Sequence, residues 1–295
     1  MKIDVLAIGE LLADFISNEY VNSLANARQF NMFQGGSPSN LCANLNWLGK
    51  NTALIACVGN DGMGAFLIQS MEKIGVHSTF IHKTNDYPSS MVLVGKSRQS
   101  PDFVAYRMAD IHIPPVNKNL LNESRIIHTS AFALSKNPAQ NNILAALIQA
   151  KEMGKIISCD WNFSPKIWNS NNGQAVFQSI CQLNPLLKLS LDDFKRFTGN
   201  ENATAEQAIT FLTQFNTQLT CLTCGSEGVW FTDETKKWVK LPAIEVTVLD
   251  TTGAGDAFWA GFLSGYLDHF TLETSVEMGI SLATRKIQQL GPLYL

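Results

Sequence analysis

Short apolar runs alternate along the chain with longer segments whose apolar residues recur every three or four positions. The runs with strand character are DVLAIGE (4–10), TALIACVG (52–59), RIIHTSA (125–131), KIISCDW (155–161), LLKLS (186–190) and LTCLTCG (219–225). The segments with helical spacing are SNLCANLNWLGK (39–50), GAFLIQSMEKIG (64–75), NNILAALIQAKEMG (141–154), AEQAITFLTQF (205–215) and AGDAFWAGFLSGYL (254–267). This alternation predicts an α/β fold with a mostly parallel central sheet that helices cover on both faces.

Two segments interrupt the alternation of strands and helices. Residues 11–34 and 86–113 are extended and irregular, and SSMVLVGKSRQSPDFVAYR (89–107) alternates apolar and polar residues as a β-meander does. We expect the two segments to form a small β-meander lid on the main sheet. Because no repeat, low-complexity stretch or linker divides the chain, residues 1–295 are predicted to form a single α/β domain.

The composition is that of a weakly acidic globular protein with a large core. The 295 residues are 45% hydrophobic and 16% charged, with a formal net charge of −3. Such a chain offers no basic surface for nucleic acid or for an anionic membrane. Its first residues, MKIDVLAIGELLADF (1–15), predict a strand, because acids interrupt the apolar stretch and no signal-type cleavage site follows. We therefore expect a cytoplasmic protein.

The cysteines are scattered through apolar surroundings, as is typical of a reducing compartment. They are Cys42, Cys57, Cys159, Cys181, Cys221 and Cys224. Cys221 and Cys224 form a C-x-x-C, but residues three apart on a strand point to opposite faces, and no second pair completes a zinc site. We expect all of them to be structural.

The common nucleotide-binding motifs are absent. Gly95-Lys96-Ser97 resembles the end of a P-loop, but the position five before Gly95 is Ser90 and the segment is predicted to be a strand. The first strand ends in GELLAD, which is no dinucleotide fingerprint, so an oxidoreductase is disfavoured. If the chain binds phosphate groups, another segment has to hold them.

The stretch DTTGAGDAFWAGF (250–262) is such a segment. Gly253, Ala254 and Gly255 leave their backbone N–H groups unobstructed at the start of a predicted helix, whose free amides and positive dipole end favour an anion. Asp256 follows them directly, where a carboxylate can take a proton from an incoming hydroxyl while the amides hold a transferring phosphoryl group. Local chemistry equally allows Asp256 to be a helix cap.

Two distant motifs resemble the signatures of the ribokinase-like (PfkB) carbohydrate kinases. DTTGAGDAFWAGFL (250–263) matches the C-terminal signature of that family, and residues 35–76, which begin GGSPSNLCANLNWLG, resemble its N-terminal signature. DWNFSPKIW, KLSLDDFKRFTG and LTCGSEGVWF fall at family positions, so the resemblance covers nearly the whole chain. The sequence is most similar to the fructokinase branch.

The resemblance implies an ATP-dependent sugar kinase with a ribokinase-like fold. It makes Asp256 the base that deprotonates the sugar hydroxyl, and Gly253, Ala254 and Gly255 the anion hole for the γ-phosphate. The sugar-binding residues that it implies are Asp14, Gly35, Gly36, Asn40, Arg107 and Asn162. Taken by residue type alone, the two glycines fit a plain turn, Asn40 a polar residue near a helix N-terminus, and Arg107 a solvated strand charge.

The resemblance also implies ATP and Mg²⁺ as cofactors and allows a monovalent cation such as K⁺. The residues assigned to the nucleotide are Ser190, Thr223, Gly225, Gly228 and Thr252. The family often has N-x-x-E where this chain has Ser190 and Asp193. Asp193 is one methylene shorter than the glutamate, so we expect it to act on the metal through a water molecule.

Two departures bear on the substrate. Keto-deoxygluconate kinases of the family carry an arginine and a tyrosine for the substrate carboxylate where this chain has Ser164 and Ala105. We therefore expect a neutral hexose, with fructose as the first candidate, phosphorylated on a primary hydroxyl. Lids in the family frequently pair, which predicts a homodimer through the lid.

Other functions remain open at the level of the sequence. Ribose, 2-keto-3-deoxygluconate or adenosine are alternative substrates, and Phe103, Tyr106 and Met108 in the lid offer an apolar clamp for a base. A non-catalytic sugar-binding regulator is a further alternative. The intact Gly-Ala-Gly-Asp opposes it, because a protein that has lost catalysis has no chemical need for Asp256.

Overall fold

The computed structural model describes residues 2–97, 102–168, 172–289, 291, 293 and 294. Its strands are β1 (Ile3–Ile8), β2 (Leu12–Tyr20), β3 (Phe30–Gly35), β4 (Thr52–Gly59), β5 (Ile81–Thr84), β6 (Met91–Lys96), β7 (Phe103–Tyr106), β8 (Ser124–Ser130), β9 (Ile156–Asp160), β10 (Leu186–Ser190), β11 (Leu219–Thr223), β12 (Val229–Thr232) and β13 (Trp238–Leu241). Its helices are α1 (Ser37–Trp47), α2 (Gly62–Ile74), α3 (Lys118–Glu123), α4 (Ala139–Glu152), α5 (Gly173–Gln182), α6 (Leu191–Thr198), α7 (Ala205–Leu212), α8 (Ala254–Leu267) and α9 (Leu272–Ile287).

The large sheet is mostly parallel, as the alternation of elements predicts. Its strand order is β13-β12-β11-β10-β9-β8-β1-β4-β5. All pairs from β5 to β11 are parallel, and only β12 and β13 continue the sheet antiparallel. Every position of β4 is buried, which is typical of a strand that helices cover on both faces.

Successive residues of the central strands enter two separate cores. Leu6 and Ile127 pack in a cluster that also contains Phe177 of α5. Their neighbours Val5 and Ile126 pack in a second cluster, which α8 and α9 complete. Since adjacent strand residues point to opposite faces, this division confirms that the helices form layers on both sides of the sheet.

The predicted lid segments form a separate four-stranded sheet of order β3-β2-β6-β7. The pairs β2–β3 and β6–β7 are antiparallel, whereas β2 and β6 run parallel from Ala13 opposite Met91 to Ile16 opposite Val94. One face carries the buried Leu12, Val92 and Val94. The part of the predicted meander at 98–101 lies outside the described residues. Motion of this sheet as a lid, and one domain over 1–295, stay predictions.

Several elements carried too weak a pattern to be predicted: β5, β12, β13, α3, α5, α6 and α9. The cysteines are as expected: all are free thiols, with Cys221 buried and Cys224 half-buried. In the described part of the chain, no helix is long and apolar enough to cross a membrane.

Candidate active site

The candidate site lies where the parallel strands of the large sheet end. Asp160 closes β9, Ser190 closes β10, and Thr223 closes β11 at the same edge. In open α/β sheets, ligands bind outside the carboxyl ends of the strands. The N-termini of α1 and α8 bring the two signature motifs together there, since Ser37 and Asn40 of α1 hydrogen-bond Asp256 of α8.

Asp256 is held by α1 and does not occupy the N-cap of its own helix. The N-cap of α8 is Gly253, whose left-handed backbone (φ 75°, ψ 6°) favours glycine. The Asp256 Oδ1 atom accepts from Ser37 Oγ at 2.7 Å, and Oδ2 accepts from Asn40 Nδ2 at 2.8 Å. Both carboxylate oxygens are thereby oriented across 216 residues or more of sequence, and a simple helix cap does not explain the arrangement.

The surroundings of Asp256 make it a stronger base than a free aspartate. Burial raises the pKa of this carboxyl above its ordinary value. Hydrogen bonds from Asn40 and Ser37, followed by the charges of Lys188 and Lys286, oppose that rise. A carboxylate with a raised pKa, oriented by donors that favour its ionised form, suits general base catalysis.

The start of α8 offers amides to an anion. The Ala254 N–H already donates to Thr251 O at 3.1 Å, which leaves the amides of Gly255 and Asp256 as the better candidates for an anion hole. A Cβ on Gly255 would lie 2.6 Å from Lys188 Nζ, so a side chain at that position would displace the Lys188 ammonium. Lys188 is buried and pairs with both carboxylate oxygens of Asp160, at 3.0 and 2.9 Å.

A cleft with about 420 Å³ of empty space opens beside this helix start. Its lining residues are Asp14, Ile16, Phe33, Gln34, Asn40, Asn44, Asp250, Thr252, Gly253, Lys286, Gly291, Leu293 and Tyr294. Hereafter it is called the Asp14 cleft. Burial raises the pKa of Asp14 to about 7, and the charges of Asp256 and Asp250 add to that effect. The carboxylates of Asp14 and Asp256 thus interact electrostatically, although they come from opposite ends of the chain.

Gly35 and Gly36 of the N-terminal motif allow close contacts within the protein. A Cβ on Gly35 would overlap the Asp14 carboxylate, so Gly35 makes room for the predicted sugar-binding acid. Gly36 has φ 104°, and a Cβ there would overlap the Glu10 carbonyl oxygen. Asn40 uses its acceptor as well as its donor, since its Oδ1 accepts from Gln34 Nε2 at 3.2 Å.

Several residues of the site carried no recognisable signal in the sequence. Ser37 stands inside a quoted motif, yet only the contact with Asp256 reveals its role. Lys286 lies on a helix that the pattern did not predict, and its Nζ is 3.4 Å from Asp250 Oδ2. The Tyr294 hydroxyl donates to Gln34 Oε1 at 2.6 Å and to Asn40 Oδ1 at 3.3 Å, so it supports the residue that holds Asp256.

Arg107 is buried, which contradicts its interpretation as a solvated strand charge. It forms an ion pair with Asp110 and donates to Phe132 O at 3.1 Å and to Ser135 Oγ at 2.8 Å. Within the described residues its Nη2 atom is buried without a hydrogen-bond partner. Arg107 is not among the residues that line the Asp14 cleft. Its assignment to the substrate stays a prediction.

The predicted nucleotide residues also have local roles. Ser190 and Asp193 form a reciprocal capping box at the start of α6, and Asp193 Oδ1 accepts from Arg196 at 2.6 Å. Gly228 has φ 93°, and a Cβ there would overlap the Leu241 carbonyl oxygen. The Thr252 N–H donates to Asp250 Oδ1 at 3.0 Å.

The remaining predicted positions surround the same edge of the sheet. Asn162 Oδ1 accepts from the Phe132 N–H at 3.0 Å, and Gly225 has φ 57° just beyond β11. Across the described ranges, no group of three or more His, Cys, Asp or Glu side chains could hold a metal ion by itself. Mg²⁺ commonly binds through one or two carboxylates together with substrate phosphates. Asp160 and Asp193 are the carboxylates that act on Lys188 beside the start of α8, and both already have partners within the protein.

Comparisons with known proteins agree on one family. Residues 2–294 match the model of the pfkB family carbohydrate kinases. An ATP-dependent 6-phosphofructokinase of Thermoanaerobacterium thermosaccharolyticum is 32% identical over 295 residues, which cover 99% of this chain and 90% of that protein. A 5-dehydro-2-deoxygluconokinase of Lacticaseibacillus casei is 28% identical over 98% of this chain and 91% of its own length. The fructokinase structure of Halothermothrix orenii superposes with a TM-score of 0.84 at 32% identity, covering 94% of this chain and 98% of that one.

Proposed function

Because this chain belongs to the pfkB family of carbohydrate kinases, and is therefore an ATP-dependent sugar kinase, we propose that it phosphorylates a primary hydroxyl of a small neutral sugar, with fructose as the first candidate. The observation that carries this proposal is the Asp256 carboxylate, which Ser37 and Asn40 hold at the start of α8 beside the Asp14 cleft.

The cleft supports binding of an uncharged polyol. In our proposal Asp14 accepts hydrogen bonds from neighbouring sugar hydroxyls. The electrostatic effect of Asp256 on Asp14 supports a sugar position next to the proposed base. Asp256 takes the proton as the hydroxyl oxygen attacks the γ-phosphorus, and the bond from that phosphorus to the bridging oxygen of ADP breaks. In this proposal the Gly255 amide of the Gly253–Gly255 segment and the neighbouring Asp256 amide stabilise the negative charge that spreads over the phosphoryl oxygens.

ATP extends from this point over the ends of β10 and β11 in our proposal, towards Ser190, Thr223, Gly225 and Gly228. Mg²⁺ would neutralise phosphate charge there, with Asp193 or Asp160 reached through water. The small sheet would close over the sugar and exclude water, which limits hydrolysis of ATP. A dependence on K⁺ remains a proposal that an assay in sodium and potassium salts can decide.

A second candidate substrate is fructose 6-phosphate. The observation in its favour is the 32% identity with the ATP-dependent 6-phosphofructokinase. The described residues that line the cleft include one cationic side chain, Lys286, and it is paired with Asp250. A free sugar therefore suits this lining better than a phosphorylated one. A keto acid is disfavoured on similar grounds, since Ser164 supplies no cation and Ala105 no hydroxyl for its carboxylate.

The small sheet also supports a proposed dimer. Met32 of β3 and Val104 and Tyr106 of β7 are exposed by about two-fifths or more, at 40%, 44% and 43%. They share one face of the sheet. Met32 pairs with Phe15, Phe15 pairs with Leu93, and Leu93 pairs with Val104. We propose that two copies associate through this face. We also propose that the protein works in a compartment that keeps its free cysteines reduced.

An ADP-release assay with ATP and Mg²⁺ tests the function. The substrates are fructose, fructose 6-phosphate, glucose, ribose, 2-keto-3-deoxygluconate and adenosine, with wild type and Asp256→Asn in parallel. We expect the highest kcat/KM on fructose, with turnover lost in the variant. A tenfold preference for fructose 6-phosphate would replace the proposed substrate, and full activity of the variant would refute the assigned base.

A further inference from the structure

Lys286 brings a buried ammonium group to the segment that precedes α8. The residue is 5% exposed, and its Nζ lies 3.4 Å from Asp250 Oδ2. Its Cε would lie 3.7 Å from a Cβ on Gly253, the N-cap of α8. Lys286 also lines the Asp14 cleft. A fixed positive charge therefore stands between α9 and the start of the proposed anion hole.

Asp250 connects this ammonium to the backbone of the loop. Its Oδ2 faces Lys286 Nζ, while its Oδ1 accepts the Thr252 N–H at 3.0 Å. The Leu249 N–H donates to the Ile287 carbonyl at 2.7 Å, one residue beyond Lys286. Side-chain and backbone contacts thus both join the loop to the end of α9, directly before the glycine where α8 begins.

The Lys286 ammonium lies among several acidic side chains around the cleft. Asp14 and Asp250 line the cleft, and Asp256 lies close enough to act on the pKa of Asp14. The other buried cation near the start of α8, Lys188, already pairs with both oxygens of Asp160. Burying an ammonium is costly unless it is paired, and the Lys286 pairing at 3.4 Å is long. A lysine kept in such a position is better explained by function than by stability.

We propose that Lys286 is a positioning residue for phosphoryl transfer. Its ammonium holds the Asp250–Gly253 loop so that the following amides face the transferred phosphoryl group. Its positive charge also favours that phosphoryl group in the closed cleft. The proposal rests on the roles given above to Asp256 and to the Gly253–Gly255 amides. No covalent bond forms at Lys286.

The test compares Lys286→Met with the double variant Asp250→Asn/Lys286→Met. The single variant leaves the Asp250 carboxylate buried and unpaired, so it loses stability as well as activity. The double variant removes both charges, and its thermal midpoint should return to within a few degrees of wild type. Its kcat should nevertheless stay at least tenfold below wild type, with the KM for the sugar changed less than threefold.

Two further variants complete the design. Lys286→Arg keeps the positive charge and should recover at least part of the kcat that Lys286→Met loses. Lys50→Met removes a lysine that pairs with Asp268 and does not line the cleft, and it should retain wild-type kcat. A double variant with wild-type kcat would overturn the proposal, because Lys286 would then only balance Asp250. A Lys286→Arg variant as inactive as Lys286→Met would overturn it too.

Failure of this inference is distinct from failure of the proposed function. If Asp256→Asn loses turnover while the double variant keeps it, the base assignment stands and only the role of Lys286 is refuted. If Asp256→Asn retains full kcat, the assigned mechanism is itself wrong, and the role of Lys286 falls with it.

Discussion

The side-chain amide of Asn40 donates to the carboxylate of Asp256 at 2.8 Å, and this contact joins the two signature motifs into one site. Asn40 belongs to α1 and Asp256 to α8. Ser37, one turn before Asn40, holds the other carboxylate oxygen. The base is therefore oriented by a helix other than its own, and Asn40 of that helix also lines the Asp14 cleft.

Asp256→Asn should lower kcat by a factor of about 100 to 10,000, because an amide cannot accept the hydroxyl proton. The KM for the sugar should change less than threefold, since Asp14 remains in place. Steady-state kinetics with the preferred sugar measures both parameters. Asp268→Asn is a matched control on an exposed aspartate just after α8, and it should behave as wild type.

Ser37→Ala should make the enzyme more sensitive to acid. The Ser37 hydroxyl donates to the ionised form of Asp256, so its removal raises the pKa of that carboxyl further. We expect the acidic limb of the kcat profile to move to higher pH, with a greater loss of activity at pH 6 than at pH 8. Ser70→Ala is the control, because the Ser70 hydroxyl donates to the Phe66 carbonyl within α2. An unshifted acidic limb in Ser37→Ala would contradict the assignment of that limb to Asp256.

Asp14→Asn should weaken sugar binding and stabilise the free protein at alkaline pH. The pKa of Asp14 is about 7 in the folded state against an ordinary 3.8, so the folded protein binds more protons between these values. The stability that proton binding at Asp14 contributes is therefore fully present below pH 3.8 and is lost as the pH rises through 7. Asparagine stays neutral, so the variant should gain more in thermal midpoint at pH 8 than at pH 5.

The KM for the sugar should rise at least tenfold in the same Asp14 variant. Glu10 and Asp160 also have raised pKa values, about 8 and about 7, but they are present in both proteins and cancel in the comparison. Calorimetry at the two pH values and kinetics at pH 8 give the two readouts. Equal gains at both pH values would show that Asp14 is not protonated in the folded protein near neutral pH.

Gly35→Ala should impair sugar binding without unfolding the protein, because the added methyl group overlaps the Asp14 carboxylate and displaces it. We expect a rise of about tenfold or more in KM, the factor that corresponds to about 1.4 kcal/mol. Gly62→Ala is the control, since a Cβ there meets no atom within 4 Å and no positive φ is required. A Gly35→Ala variant with unchanged KM would remove Asp14 from the sugar site.

Much of the fold was predictable, because the elements that build the central sheet have strong periodicity. β4 is buried on both faces and its apolar run is unmistakable, whereas the helical segment α6 has only eight residues, LDDFKRFT, and is largely polar. The short strands β12 and β13 at one end of the large sheet likewise have four residues each, too few for a pattern to emerge.

The sequence by itself determined the alternation of most of the parallel strands with helices, and the glycines and acid at the start of α8, because these depend on local spacing and residue type. Only the tertiary structure decided that Ser37 and Asn40 hold Asp256 and that Lys286 faces Asp250. These contacts follow from how α1 and α9 pack around α8, over separations that no local pattern encodes. Side-chain partners that distant are set by packing, which is the physical reason why the site had to be found in three dimensions.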